Sequence, residues 1–249
     1  ISNQIKLTSF FSLQIPLLIY GYWNAKFFKV RELEIKNPLI RNDLNFIFIS
    51  DVHIGSNHPR SLTKIVSKIN EIQPRFVLIG GDLIDSSSFN INDISSLKEV
   101  KCPIYFVTGN HEYYIPNYEK HLNDFKKVGI QILNNQSIQI DDVNLIGIND
   151  DISIKEKENH YKNLKNKNLF NLLVIHQPSL WKYIKNDVNL MLSGHTHNGQ
   201  IFPFNLIVKL QFPQIYGIYS HFKNYIYVSS GAATWGPKIR IGSKNEILN

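Results

Sequence analysis

The stretch Phe46-Ile-Phe-Ile-Ser-Asp51-Val-His53-Ile-Gly55 sets the architecture of this chain. Its first four residues are aromatic or β-branched, and a short run of that kind closed by Asp and Gly reads as a buried strand. The strand empties into a polar turn carrying Asp51 and His53. In an extended segment, residues two apart point to one face, so both side chains can reach the same ion. A single Asp-x-His of this kind says little, and it gains meaning only from what the rest of the chain carries.

Four more segments repeat the arrangement: Gly81-Asp82-Leu-Ile-Asp85 after Phe76-Val-Leu-Ile79, Gly109-Asn110-His111-Glu112 after Ile104-Tyr-Phe-Val107, His176 after Leu172-Leu-Val-Ile175, and Gly194-His195-Thr-His197 after Val188-Asn-Leu-Met-Leu192. Loops that leave the carboxyl ends of neighbouring strands can converge in space. Oxygen and imidazole donors without thiolates suit Mn²⁺, Fe²⁺ or Zn²⁺. One carboxylate shared by two ions needs a neighbour without a side chain, and Gly81 precedes Asp82. His195 and His197 straddle Thr196 and can reach two adjacent ions. Alone, His176 on an apolar strand is more often a core histidine, and Asp85 a helix cap. Together the motifs are the ligand inventory of a two-metal hydrolase, in which paired cations generate a hydroxide at neutral pH and clamp phosphoryl oxygens.

Outside the motifs the pattern is that of an α/β (α+β) protein. Leu62, Ile65, Val66, Ile69 and Ile72 recur at helical spacing before Pro74, and Tyr118, Leu122, Phe125 and Val128 do so before Gly129. Short strands are expected near 131–133, 137–140 and 144–148, with a strand-rich tail from Gln214 to Ile241. The expected architecture is two packed mixed β-sheets flanked by helices. The 249 residues suffice for one large domain with an appendage, divided as an N-terminal segment over 1–43 and a catalytic domain over 44–249.

The formal charge of +7 is spread along the chain rather than gathered into a stripe. No long basic groove with interleaved aromatics is legible, so no nucleic-acid partner is expected. Cys102 is the only cysteine, which excludes an intrachain disulfide and a thiolate zinc site. Leu7 to Ala25 carries no charge and is followed by Lys26, Lys29 and Arg31. That pattern predicts membrane association, spanning or interfacial, with the catalytic domain on the cytoplasmic side.

The five motifs, in this order, closely resemble those of the calcineurin-like metallophosphoesterase superfamily. The strings SDVHIG, GDLID, GNHEYY, SGHTHNGQ and TWGPKIRIG look like its bacterial membrane-linked phosphodiesterase branch, some members of which cleave the pyrophosphate of UDP-2,3-diacylglucosamine. The resemblance implies a sandwich fold and places Asp51, His53 and His197 on one metal, Asn110, His176 and His195 on the other, and Asp82 between them. It makes His111 the group that protonates the leaving oxygen or stabilises transition-state charge, oriented by Asp85, which keeps the ring cationic. Mn²⁺ is the expected metal, and a phosphodiester or pyrophosphate, including a lipid-linked nucleotide, the expected substrate. A phosphomonoesterase or protein phosphatase and a metal-binding scaffold remain the alternatives. His58, Tyr113 and Gln200 are candidates for substrate contact. The chain departs from the branch at Asn198-Gly199-Gln200, where two glycines usually precede the glutamine, and at Ser230, where an arginine often precedes the glycine.

Overall fold

The computed structural model describes residues 3–249. Sheet one holds β1 (Phe28–Arg31), β2 (Ile47–Ile49), β3 (Val77–Gly80), β4 (Ile104–Val107), β5 (Ile130–Ile132) and β12 (Asn245–Leu248), in the order β1-β12-β2-β3-β4-β5. Sheet two holds β6 (Gln136–Ile140), β7 (Val143–Ile148), β8 (Phe170–Ile175), β9 (Leu190–Ser193), β10 (Gly217–His221) and β11 (Asn224–Val228), in the order β10-β11-β9-β8-β7-β6. β2 to β5 run parallel, as do β7, β8, β9 and β11. Parallel strands buried on both faces need continuous apolar runs, and the runs preceding the motifs meet that need. The register Ile49↔Ile79 and Ile79↔Phe106 brings the loops after β2, β3 and β4 out at one edge.

Helices complete the layers: α1 (Asn3–Lys26), α2 (Arg60–Ile72), α3 (Asn110–Tyr114), α4 (Tyr118–Lys127), α5 (Ile154–Leu164), α6 (Trp181–Ile184) and α7 (Phe204–Gln211). α2 buries Leu62, Ile65, Val66 and Ile69 on sheet one and ends at Gln73, in the left-handed region just before Pro74. Burying each such side chain stabilises by roughly 1.5–3 kcal/mol. Phe48, Leu78, Val107, Leu145, Leu172 and Leu192 form the core with the inward faces of both sheets. Tyr161, Leu180, Trp181 and Ile184 cover the outer face of sheet two.

Two expectations change. The membrane-associated location with a cytoplasmic catalytic domain is overturned: among the described residues no helix is long and apolar enough to cross a membrane. α1 has the length, but Thr8, Ser9, Ser12, Gln14 and Pro16 interrupt its apolar sequence. Its C-terminal part docks on the 240–245 segment, where Gly21 O accepts from Arg240 N at 2.9 Å and Asn24 Nδ2 donates to Ser243 O at 2.6 Å. The strand-rich tail is strand only to Val228. Residues 229–244 instead fold back on the β2 loop, with Ala232 N donating to Ser50 O and Ala233 N to Asp51 O.

Candidate dimetal site

All five motifs open at the carboxyl ends of their strands, three from sheet one and two from sheet two. Asp51, His53, Asp82, His195 and His197 have φ between +49° and +71°, a region non-glycine residues enter at a cost of about 1–2 kcal/mol each. Hydrogen bonds between the loops hold them there. Asp51 N donates to Gly81 O, His53 N to Asp82 O, both at 3.0 Å, and His195 N to the Asp51 carboxylate at 3.1 Å. Gly81 has no room for a side chain: a Cβ there would stand 2.6 Å from His176 Nδ1 and 2.7 Å from Gly109 Cα.

The donor atoms fall into three groups: Asp51–His53–His197, Asp82–His176–His195 and, overlapping the first, His53–Asp85–His111. In the first, His53 Nε2 and His197 Nε2 are 3.2 Å apart, and Asp51 Oδ1 is 3.4 Å from His197 Nε2. In the second, His176 Nε2 is 3.3 Å from His195 Nδ1 and 3.1 Å from Asp82 Oδ2. That same Asp82 oxygen is 3.8 Å from His53 Nε2, so it lies between the first two groups. Asn110 Oδ1 is buried without a hydrogen-bond partner. Facing lone pairs, shared carboxylates and an orphaned amide oxygen fit a pair of divalent cations.

The remaining ring nitrogens are held from behind. His176 Nδ1 donates to Gly80 O at 2.8 Å, freeing Nε2 for a metal. Asp85 Oδ2 lies 3.3 Å from His53 Nδ1, and Asp85 Oδ1 accepts from Ser56 N at 2.8 Å. Asp85 thus supports a ligand of the first group while also grouping with His111. Four backbone amides, from Asp82, Leu83, Ile84 and Gly109, donate to buried Glu112 at 2.7–3.1 Å and tie the Asp82 and Asn110 loops together. Burial, with Asp82 nearby, pushes Glu112 up to about 7, against amides that favour the anion.

The field around the ligands is divided. Burial opposes charge on His53 and His176, but the neighbouring carboxylates outweigh it and hold both rings above the ordinary histidine value. Burial prevails at His195 and His197, which fall to about 4 and about 3, with His176 and His53 adding repulsion. Asp82 is held low by His176 and His53 in spite of burial.

His111 stands at the mouth, half-buried, its amide donating to Asp82 Oδ1 at 2.9 Å. Its ring meets His53, Tyr114 and Trp235 edge-on, with centroids 4.7, 5.3 and 5.6 Å away. Burial lowers its pKa, with the Asp82 and Asp85 carboxylates acting in the opposite direction. Tyr114, 71% exposed, walls this mouth. Tyr113 turns away to Thr108 and Asn149. Gln200 braces the neighbouring loop through Trp235 and Pro237, and exposed His58 caps Arg60 N.

Arg240 escapes the sequence reading, because nothing local distinguishes it from the other basic residues. It is completely buried. Its guanidinium donates to His197 O, Ser230 O and Ala233 O at 3.1, 2.6 and 2.7 Å, and Nη2 lies 3.2 Å from His197 Nδ1. Asp51 nearby supports its charge, although burial brings it down to about 10.

Known proteins resemble this chain in sequence and in fold. The family model described as calcineurin-like phosphoesterase matches residues 44–199. This chain belongs to the calcineurin-like phosphoesterase family. A Helicobacter pylori metallophosphoesterase is 33% identical over 99% of this chain and 71% of its own length. A Campylobacter jejuni metallophosphoesterase is 34% identical over 93% of this chain and 65% of its own. A Danio rerio relative, 33% identical over 94% of this chain and 59% of its own, is named a transmembrane protein with a metallophosphoesterase domain. In structure, a Thermus thermophilus protein superposes with a TM-score of 0.52 at 12% identity, over 75% of this chain and 89% of its own. A Danio rerio dimetal phosphatase gives 0.50 at 12% identity, over 76% and 87%. These structures share the fold of two mixed sheets flanked by helices. As a calcineurin-like phosphoesterase, the chain is a metal-dependent phosphoester hydrolase with a divalent dimetal site.

Proposed function

We propose that this phosphoesterase hydrolyses a phosphodiester or pyrophosphate, with Mn²⁺ as the preferred ion over Fe²⁺ or Zn²⁺. The observation that carries this reading is the single Asp82 oxygen set between the first two histidine–carboxylate groups, with His111 beside them and outside both. Asp51, His53 and His197 would hold one cation, Asn110, His176 and His195 the other, and Asp82 both. Bound, the pair supplies Lewis acidity and lowers the pKa of water.

The protein groups do the rest. His111 donates its ring hydrogen to a phosphoryl or leaving oxygen, and the approach of that anion raises its pKa towards the value a general acid needs. Asp85 and Gly80 O fix the His53 and His176 rings, so the phosphate meets a preformed cradle. Trp235 and Tyr114 narrow the approach to His111. α7 begins a few residues after His197 and buries none of its side chains, exposing Phe204, Leu206, Ile207 and Leu210. This apolar flank supports a substrate carrying hydrocarbon, such as a lipid-linked nucleotide.

The test compares the Mn²⁺-loaded chain on bis(nitrophenyl) phosphate, nitrophenyl phosphate and UDP-linked sugars with and without acyl chains. Faster turnover of the diester than the monoester, and of the acylated than the plain UDP-sugar, is expected. A preference for the monoester makes the protein a phosphomonoesterase, and no turnover of any substrate removes the catalytic reading.

A further inference from the structure

A second basic concavity lies apart from the candidate metal ligands. A cavity of about 240 Å³ opens between the C-terminal turn of α1, the first turns of α2 and the 232–238 segment. Lys26, Arg60, Lys64 and Lys238 line it, and no carboxylate does. Among the described residues, none of these four cations is in an ion pair. Like charges gathered around one space repel, and an anion in that space relieves them.

Two further features point the same way. α2 starts at Arg60 with no acidic residue in its first turn, and its first two amides, Arg60 N and Ser61 N, donate to the neutral acceptors His58 Nδ1 and His58 O. A helix N-terminus carries a partial positive charge, so a cation there is unfavourable unless an anion joins it. Asn245 lines the same cavity, is 4% exposed, and donates Nδ2 to Ala25 O at 2.7 Å, yet its Oδ1 has no hydrogen-bond partner. A buried acceptor left open is costly, and an unprotonated phosphate oxygen cannot satisfy it, whereas a hydroxyl can.

We propose that this cavity binds the phosphate of a small hydroxyl-bearing phosphate monoester, with Arg60, Lys64 and Lys238 on the phosphate and Asn245 accepting from a hydroxyl. The site is distinct from the dimetal centre. Ala233 N, on the cavity wall, holds Asp51 O at 3.1 Å, so the site stands behind a candidate metal ligand, on the far side of the 232–234 backbone.

The test uses the full chain treated with chelator, which silences the metal centre, and calorimetric titration with inorganic phosphate and with glycerol phosphate at constant ionic strength. Glycerol phosphate should bind saturably and tighter than inorganic phosphate. The double variant Lys64→Gln/Lys238→Gln should weaken it at least tenfold, while the Mn²⁺-loaded variant hydrolyses bis(nitrophenyl) phosphate at the wild-type rate. Both side chains are exposed, and an unchanged melting temperature would establish that the variant is folded. Absence of saturable binding, binding that the double variant leaves intact, or a fall in diester turnover each overturns the proposal. The titration does not depend on hydrolysis, so its failure and the failure of the phosphodiesterase reading are separable.

Discussion

At the scale of single residues, position relative to Asp82 sorts the roles. Asp82→Asn should bring metal content below two ions per chain and abolish hydrolysis, because the oxygen it alters faces both groups. Elemental analysis checks the first outcome and diester turnover the second. His111→Ala should keep both ions and lose on the order of 10²–10⁴ in rate, the usual contribution of a general acid. The loss should be smaller with nitrophenolate as leaving group, which needs little protonation, and loss of metal would instead make His111 a ligand. Arg240→Met strips donors from three carbonyls in a dry interior, including that of His197. Leaving buried carbonyls without a donor costs about 1–3 kcal/mol each. A denaturant melt should show a loss of that order, and Arg240→Lys should recover little, since one ammonium cannot span these acceptors.

At the scale of elements, the site depends on two parallel-strand edges meeting with almost no space between their loops. Gly81→Ala tests this. The new Cβ would press on the Gly109 backbone and the His176 ring, at a φ of +90° that suits glycine. Overpacking costs roughly 1–3 kcal/mol, and the left-handed conformation adds about 1 kcal/mol. The variant should melt earlier and hold less metal than wild type, whereas Gly129→Ala, also left-handed but with open space around it, should melt earlier without losing metal. Equal metal content in the two variants would show that the loops tolerate separation.

For the whole molecule, the metal-free centre neutralises itself with protons. His195 and His197 titrate in the fold at about 4 and about 3, below the ordinary 6.5, so the stability they contribute is present above 6.5 and lost as pH falls from there through about 4 and about 3. His53 and His176 have the opposite sign. Their pKa values are raised, so their contribution is full below 6.5 and lost as pH rises through the folded values. The chelated chain should therefore have its highest melting temperature near pH 6.5 and decline on both sides. Two bound divalent ions replace those protons and should abolish the alkaline decline. A melting temperature in the chelated chain that climbs steadily to pH 8 contradicts this account.

Apolar periodicity and donor chemistry are local properties, so the strands before the motifs, the α2 and α4 stripes and the ligand types can all be read from the chain alone. Asp51, Asp82 and His176 are legible as donors for the same reason, each following an apolar run. Which groups support those donors depends on how distant segments meet. Asp85 sits three residues after Asp82, yet it reaches His53, because the β2 and β3 loops cross in the left-handed region that no propensity reveals. Arg240 lies 43 residues from His197 and looks in the sequence like any surface cation; burial and the return of the 229–244 segment give it its place. Tyr114 rather than Tyr113 faces His111, a choice made by the rotation of α3. The uncharged run in α1 predicts a membrane, whereas the described helix is too polar to span one and its C-terminal turns bind the 240–245 segment through backbone and amide groups. Hydropathy counts side chains one at a time, and these contacts exist only when residues more than 200 positions apart are brought together.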